Sequence, residues 1–184
     1  MPASWKQYER KNCDILSKFF FGVDKPKGGR IDKDLPLCRA ADSGSHPSEI
    51  RRGDIVPNGK WIREGTLKDI HLFPFVIELK YVKGINLSEL FQAKSQFYKH
   101  WEQAATQSIE TGEAYIPLLI VNRVNSSQNF VIVDREKYFK YARTVPLPMQ
   151  QVHVKLSLTQ SLSIFLLSDW IEINTKPPYQ HLIR

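Results

Sequence analysis

The chain has 184 residues, 42% hydrophobic and 11% aromatic, enough to bury a core and short enough to favour a single domain. Nine Gly, 11 Pro and 24% charged residues without long polar tracts exclude collagen-like, low-complexity and disordered classes. Lys and Arg total 26 against 19 Asp and Glu, a formal charge of +7 that points to a polyanionic partner, either nucleic acid or an anionic membrane surface. The longest apolar stretches are about the length of residues 116–121, well short of the roughly 18–20 residues that cross a bilayer. The first eleven residues lack a hydrophobic run of the secretory kind, so an intracellular, cytoplasmic protein is expected. Cys13 and Cys38 have neither zinc-ligand spacing nor the density of a disulfide scaffold, and both are expected to be reduced.

In chain order, Ser4 with Gln7 reads as a capping box opening a helix over residues 4–20. Trp5, Tyr8, Cys13, Ile15, Leu16, Phe19 and Phe20 share one side of it. Glu9 and Asn12 fall inside that apolar arc, which places a carboxylate towards the core. Residues 23–33 read as loop, 36–40 as a short strand and 41–48 as a second loop. A strand over 54–56 ends at the turn signal Pro57-Asn58-Gly59, and 75–82 reads as a central strand interrupted by Glu78 and Lys80. A long helix of about six turns is expected over 88–111, its apolar side carrying Leu90, Phe91, Ala93, Phe97, Tyr98, Trp101, Ala104, Ala105 and Ile109, with Gly112 as the stop. Strands at 116–122 and 130–133, a capped helix at 134–141, a strand pair at 152–158 and 162–167, and a short helix capped by Ser168 complete the chain. The order implies an α/β sandwich around a mixed sheet.

Side chains two apart on a strand project to the same face, so Glu78 and Lys80 stand side by side about 7 Å apart along it. In so apolar a run, two charges need a reason, because burying them unpaired costs several kcal/mol or more. A divalent cation supplies that reason for Glu78. Asp54, at the end of the preceding strand, is the natural second carboxylate, and with a backbone carbonyl and water this oxygen set suits Mg²⁺, with Mn²⁺ as a substitute. Glu9 is a candidate third acid.

Gly53-Asp54-Ile55 and Ile77-Glu78-Leu79-Lys80 resemble the PD-(D/E)XK nuclease superfamily, with Gly53 in place of the proline. Tyr8-Glu9-Arg10-Lys11, Arg39, and Ser43-Gly44-Ser45 are similar to the N-terminal acidic motif, the arginine and the Gly/Ser-rich loop of archaeal-type Holliday-junction resolvases and their phage relatives, although Asp42 stands where a glycine is usual. Trp101-Glu102-Gln103-Ala104 and the 117–123 strand fit the phage relatives as well. The resemblance covers about residues 4–123. It implies a restriction-endonuclease-like core with αβββαβ order, C-terminal extra strands and short helices, and one nuclease domain over 1–184 with a core at about 4–123 and an elaboration at about 124–184. It also implies a homodimer that nicks four-way DNA junctions symmetrically, in the host cytoplasm if the chain is phage-encoded.

In this reading Asp54, Glu78 and the carbonyl of Leu79 hold the metal, Glu9 completes the site or places a second ion, and Lys80 orients or helps deprotonate the attacking water. Arg39, Ser43, Gly44 and Ser45 grip the DNA backbone, and Gln103 is a further candidate. Arg51 and Arg52, beside Asp54, face either phosphate or solvent. The bland alternatives are an edge strand with a solvated Glu78–Lys80 face, an Asp54 that only starts a turn, a Glu9 paired at the helix edge, a snorkelling Lys94 and bystander histidines. Two other functions stay open: a nuclease of the same core acting on flaps, ends or a specific duplex sequence, and a DNA-binding module without catalysis.

Overall fold

The computed structural model describes residues 5–29, 34–40, 53–84, 86, 88, 89, 92, 95–124, 126–157 and 160–184. Ser4, the 41–48 loop with Ser43, Gly44 and Ser45, the Arg51-Arg52 pair, and Leu90, Phe91, Ala93 and Lys94 lie outside the described residues. Helix α1 (Trp5–Phe21) buries Tyr8, Glu9, Asn12, Cys13, Leu16, Phe19 and Phe20, the helical spacing expected of one core-facing side. Trp5, at its first turn, is 37% exposed. Strands β1 (Leu37–Arg39) and β2 (Ile55–Pro57) pair antiparallel. The turn expected at Pro57-Asn58-Gly59 opens a one-turn helix, α2 (Gly59–Arg63), because the Asn58 side chain accepts the Lys60 N–H and caps it.

Strand β3 (Phe75–Val82) follows. Helix α3 (Gln96–Thr111) then carries the chain across to β4 (Ile116–Arg123), which lies parallel to β3 as such a crossover requires. The helix is shorter than the periodicity predicts. Ser95 caps it by accepting the Tyr98 N–H at 3.0 Å, and three successive three-residue turns (Glu89 to Asn86, Gln92 to Glu89, Ser95 to Gln92) precede it. Phe97, Trp101, Ala104 and Ser108 form its buried stripe, while Ile109, expected on that side, is 63% exposed.

Strand β5 (Asn129–Asp134) leads into helix α4 (Arg135–Tyr141), capped by Asp134. Strand β6 (Val152–Lys155) ends early because the N–H groups of Leu156 and Ser157 both turn to the Gln160 carbonyl. Strand β7 (Ser161–Leu166) leads into helix α5 (Leu167–Ile173). Ser168 is not that helix's cap. It sits inside the first turn, where its hydroxyl meets Asp169.

The seven strands form one mixed sheet in the order β1-β2-β3-β4-β5-β7-β6, so the strands after residue 124 extend the same sheet. One face packs on α1, α4 and α5 through Phe20, Phe75, Ile77, Leu118, Val131, Tyr138 and Trp170. The other packs on α3 through Phe97, Trp101, Leu119, Val121, Ile132 and Ile164. At the end of α1, Phe20 stacks on Phe75 at 5.2 Å and meets Phe73 edge-on at 5.0 Å. The chain's last residues close over this cluster: Tyr179 donates its N–H to Phe20, and Lys68 and Leu182, like Thr66 and Arg184, are joined by backbone hydrogen bonds. Neither cysteine forms a disulfide, and no described helix is long and apolar enough to cross a membrane. The architecture is that of a restriction-endonuclease-like fold, with β3 and β4 at its centre and both faces covered.

Gly53 shows why a proline is missing here. Its φ of +115° lies far from the −65° that proline imposes, and a Cβ at this position would sit 2.6 Å from the Ile77 carbonyl oxygen. Gly53→Ala is therefore expected to cost about 2–4 kcal/mol by urea denaturation. Gly65→Ala, also at positive φ but with open space around its Cβ, is expected to cost only about 1–2 kcal/mol.

Candidate active site

Asp54 reaches its place through the backbone. Its N–H donates to the Ile77 carbonyl at 2.8 Å, and its Oδ2 accepts the Leu79 N–H at 2.8 Å. The side chain thus takes up a β3 donor just past the point where β2 and β3 are in register at Ile55 and Ile77. Burial comes first in pushing the Asp54 carboxyl up, and Glu9 adds to it; the Leu79 N–H, Lys80 and Arg39 oppose.

Glu78 and Lys80 share one face of a central strand, not of an edge strand. Lys80 Nζ and Gln103 Nε2 both donate to Glu78 Oε1 at 2.6 Å, while Oε2 is buried with no hydrogen-bond partner among the described residues. Glu78 is only 1% exposed. Burial, and then the charge of Asp54, push its carboxyl up to about 7, against the pull of Lys80. Gln107, one turn beyond Gln103, also draws the carboxyl down, and its own Oε1 has no hydrogen-bond partner. His100, half-buried on the same helix, is lowered by burial and then by Lys80.

Glu9 and Arg39 form the remaining part. Glu9, 1% exposed, receives the Arg39 Nε as hydrogen bond and ion pair. Arg39 stands on β1, whose register pairs it with Ile55, the residue after Asp54. Glu9, Arg39, Asp54, Glu78, Lys80 and Gln103 are thus brought into one cluster. Ser43, Gly44, Ser45, Arg51 and Arg52 lie outside the described residues.

Gln103 belongs to the cluster although it falls on the polar side of its helix, and sequence reasoning missed His100 and Gln107. The signal was there as a stripe at i, i+3 and i+7 bordering the apolar arc of α3.

A mixed sheet with an Asp and a Glu-x-Lys converging at its centre defines the PD-(D/E)XK class of nucleases. Residues 6–178 match the family described as "Phage putative PDDEXK endonuclease", and the chain belongs to that family. Comparison with curated proteins and with solved structures gives no match. Nucleases of this class generally use divalent metals. Among the described residues no three His, Cys, Asp or Glu side chains gather as a metal-binding group. The two-carboxylate set still fits a hard divalent ion. Glu78 Oε2 is a buried acceptor lacking a donor, and Asp54 and Glu78 repel each other in a way that a cation relieves.

Two predictions test these electrostatics in metal-free buffer. Because the folded Glu78 holds its proton up to about pH 7 against an ordinary 4.5, its contribution to stability is complete below 4.5 and is lost as pH rises through 7. Glu78→Gln cannot ionise, so in thermal melts above pH 7 it should be more stable than the wild type by on the order of 2 kcal/mol, and lose that advantage near pH 4.5. Arg39→Ala leaves Glu9 buried without its cation and should cost about 2 kcal/mol or more. Adding Glu9→Gln should recover part of that loss in the same melts.

Proposed function

We propose that the chain is an Mg²⁺-dependent endodeoxyribonuclease that resolves four-way DNA junctions by symmetric nicks, acting as a homodimer. The observation that carries the nuclease chemistry is the unpartnered Glu78 Oε2 beside Asp54, with Lys80 held 2.6 Å from the other oxygen. The junction reading is supported by the order Glu9, Arg39, Asp54, Glu78 and Lys80 along the chain, and the two-fold assembly by the need for two equivalent cuts. That the C-terminal strands extend the same sheet supports residues 1–184 working as one nuclease domain.

In this proposal Asp54, Glu78 and the Leu79 carbonyl hold the ion, and Mn²⁺ substitutes for it. When bound, the ion neutralises charge developing on the scissile phosphate. Lys80 Nζ orients the attacking water and assists its deprotonation, and Gln103 fixes the Glu78 carboxylate. Glu9, expected from the sequence to complete the site or place a second ion, is paired with Arg39 and does not gather with Asp54 and Glu78 as a three-acid group among the described residues, so in this proposal it acts at one remove, through its charge near Asp54. Arg39, Ser43, Gly44, Ser45, Arg51 and Arg52 hold the DNA backbone, and the overall positive charge gives the binding its salt dependence.

The test is cleavage of a labelled four-way junction and of linear duplex of the same sequence, with Mg²⁺ and with EDTA. Cuts at symmetry-related phosphates on opposing strands, much faster than on duplex and abolished by EDTA, are expected. Asp54→Asn should remove cleavage and keep binding, and Lys80→Ala should slow it by about 10²-fold or more. Equal rates on both substrates, or preference for flaps or ends, sink the resolvase reading and leave the nuclease. Binding without any cleavage makes the chain a non-catalytic DNA-binding module.

A further inference from the structure

At the carboxyl ends of the parallel strands β3 and β4, Lys83, Arg123, Val124, Ser126, Ser127 and Gln128 line an open cleft of about 740 Å³. Crevices at the carboxyl ends of parallel strands are a favoured ligand position in open α/β sheets. The register places this one on the same two strands as the Glu78–Lys80 pair. Lys80 pairs with Val121 and Val82 with Arg123, so Arg123 projects from the same sheet face as Glu78 and Lys80. It lies one strand over and about 7 Å beyond Lys80, about 13 Å beyond Glu78. Lys83 continues β3 just past that point.

The cleft is built rather than incidental. Val124 donates its N–H to the Val82 carbonyl at 2.8 Å, Ser126 to Arg123 at 3.0 Å, and Gln128 to the Ser126 hydroxyl at 3.1 Å. Beneath them Asn122, only 6% exposed, directs its amide at the Gln128 carbonyl (2.8 Å), Asn129 Oδ1 (2.9 Å) and the Ser126 carbonyl (3.3 Å). Tyr8, the neighbour of Glu9 on α1, reaches Asn129 Oδ1 at 3.4 Å. Asn122 therefore holds Ser126, Gln128 and Asn129 in place, and Asn129 ties them to the helix that carries Glu9.

The lining chemistry selects the ligand. Two cations, two hydroxyls and a carboxamide surround a single apolar side chain, with no aromatic ring on which a base would stack. Neither Lys83 nor Arg123 is ion-paired among the described residues. We propose that this cleft binds a DNA backbone phosphate flanking the one under attack, with Lys83 and Arg123 as its cationic contacts. The strand being cut then runs from the Asp54–Glu78 pair across the carboxyl ends of β3 and β4. This rests on the nuclease reading and adds a second contact to it, separate from Arg39 and the loop after it.

The test is DNA binding by fluorescence anisotropy over a salt series in EDTA, using a labelled four-way junction and a linear duplex. It compares the wild type with Lys83→Ala, Arg123→Ala, the double variant, Arg123→Lys and Lys176→Ala. Lys176 is the control: it is exposed and adjoins Pro177, which packs on Gly22, roughly 20 Å along α1 from Glu9. Each alanine variant in the cleft should weaken binding about 3–10-fold and lower the salt slope by about one. The double variant should lower it by about two, Arg123→Lys should keep the slope, and Lys176→Ala should match the wild type. In cleavage, the loss should fall on KM more than on kcat. Lys83 and Arg123 are exposed, so their alanine variants should melt as the wild type does. Wild-type affinity and slope in the double variant, with the wild type cleaving DNA, overturn the cleft and spare the nuclease. A wild type that neither binds nor cleaves DNA overturns both.

Discussion

The structure turns on burying three carboxylates, Glu9, Asp54 and Glu78, close together, where among the described residues two cations, Arg39 and Lys80, pair with them. Each acid alone is a cost that the fold must offset. The cations are not shared evenly. Arg39 is committed to Glu9 and Lys80 to one oxygen of Glu78. Asp54 is left with a backbone N–H as its hydrogen bond, and Glu78 with an oxygen that no group among the described residues satisfies. The deficit of positive charge is thus localised between Asp54 and Glu78. It is there that an added divalent ion would bring the largest gain, and the raised carboxyls of both residues express the same deficit as proton affinity.

Such a deficit needs a rigid frame, since a loose one would relax and let water in. The sheet supplies it. Glu78 and Lys80 stand on a strand paired on both sides and covered on both faces, and Gln103 reaches Glu78 from the crossover helix that makes β3 and β4 parallel. Asp54 is fixed by a backbone geometry open only to glycine at the preceding residue. The motif's usual proline and this glycine solve the same placement by opposite means, one by locking φ and the other by allowing a positive φ that lets β2 lie against Ile77.

Much of this was legible in the sequence, for physical reasons. The residues of β3 are an unbroken apolar run apart from Glu78 and Lys80, so their side-by-side position follows from strand alternation alone. Glu9 and Asn12 inside an apolar arc signalled burial, and both are buried. What escaped depends on contacts between elements distant in sequence. Nothing local to Arg39 names Glu9 as its partner, and nothing local to Gln103 says that the border of α3 faces Glu78 and not solvent. The overlong reading of α3 has a different cause. The backbone bonds that link Asn86, Glu89, Gln92 and Ser95 keep an i, i+3 spacing that composition cannot tell from an α-helix until Ser95 is seen to cap the true start.

Helix α1 carries the consequence of these constraints furthest. Glu9 near its start meets Arg39, and Phe20 near its end is locked among Phe73, Phe75, Trp170 and Tyr179. Eleven residues of helix, about 16 Å, separate the two. The aromatic end stabilises by burial, roughly 2–3 kcal/mol for a ring such as Phe20, and it fixes the rotation and depth of the helix. With those fixed, Glu9 cannot turn away from Asp54 to escape the repulsion between them. Tyr179 and Trp170 come from the last part of the chain, which lies beyond the strands bearing the acids. The C-terminal elements therefore bear on the acid cluster from a distance: they hold the far end of the lever whose near end places Glu9.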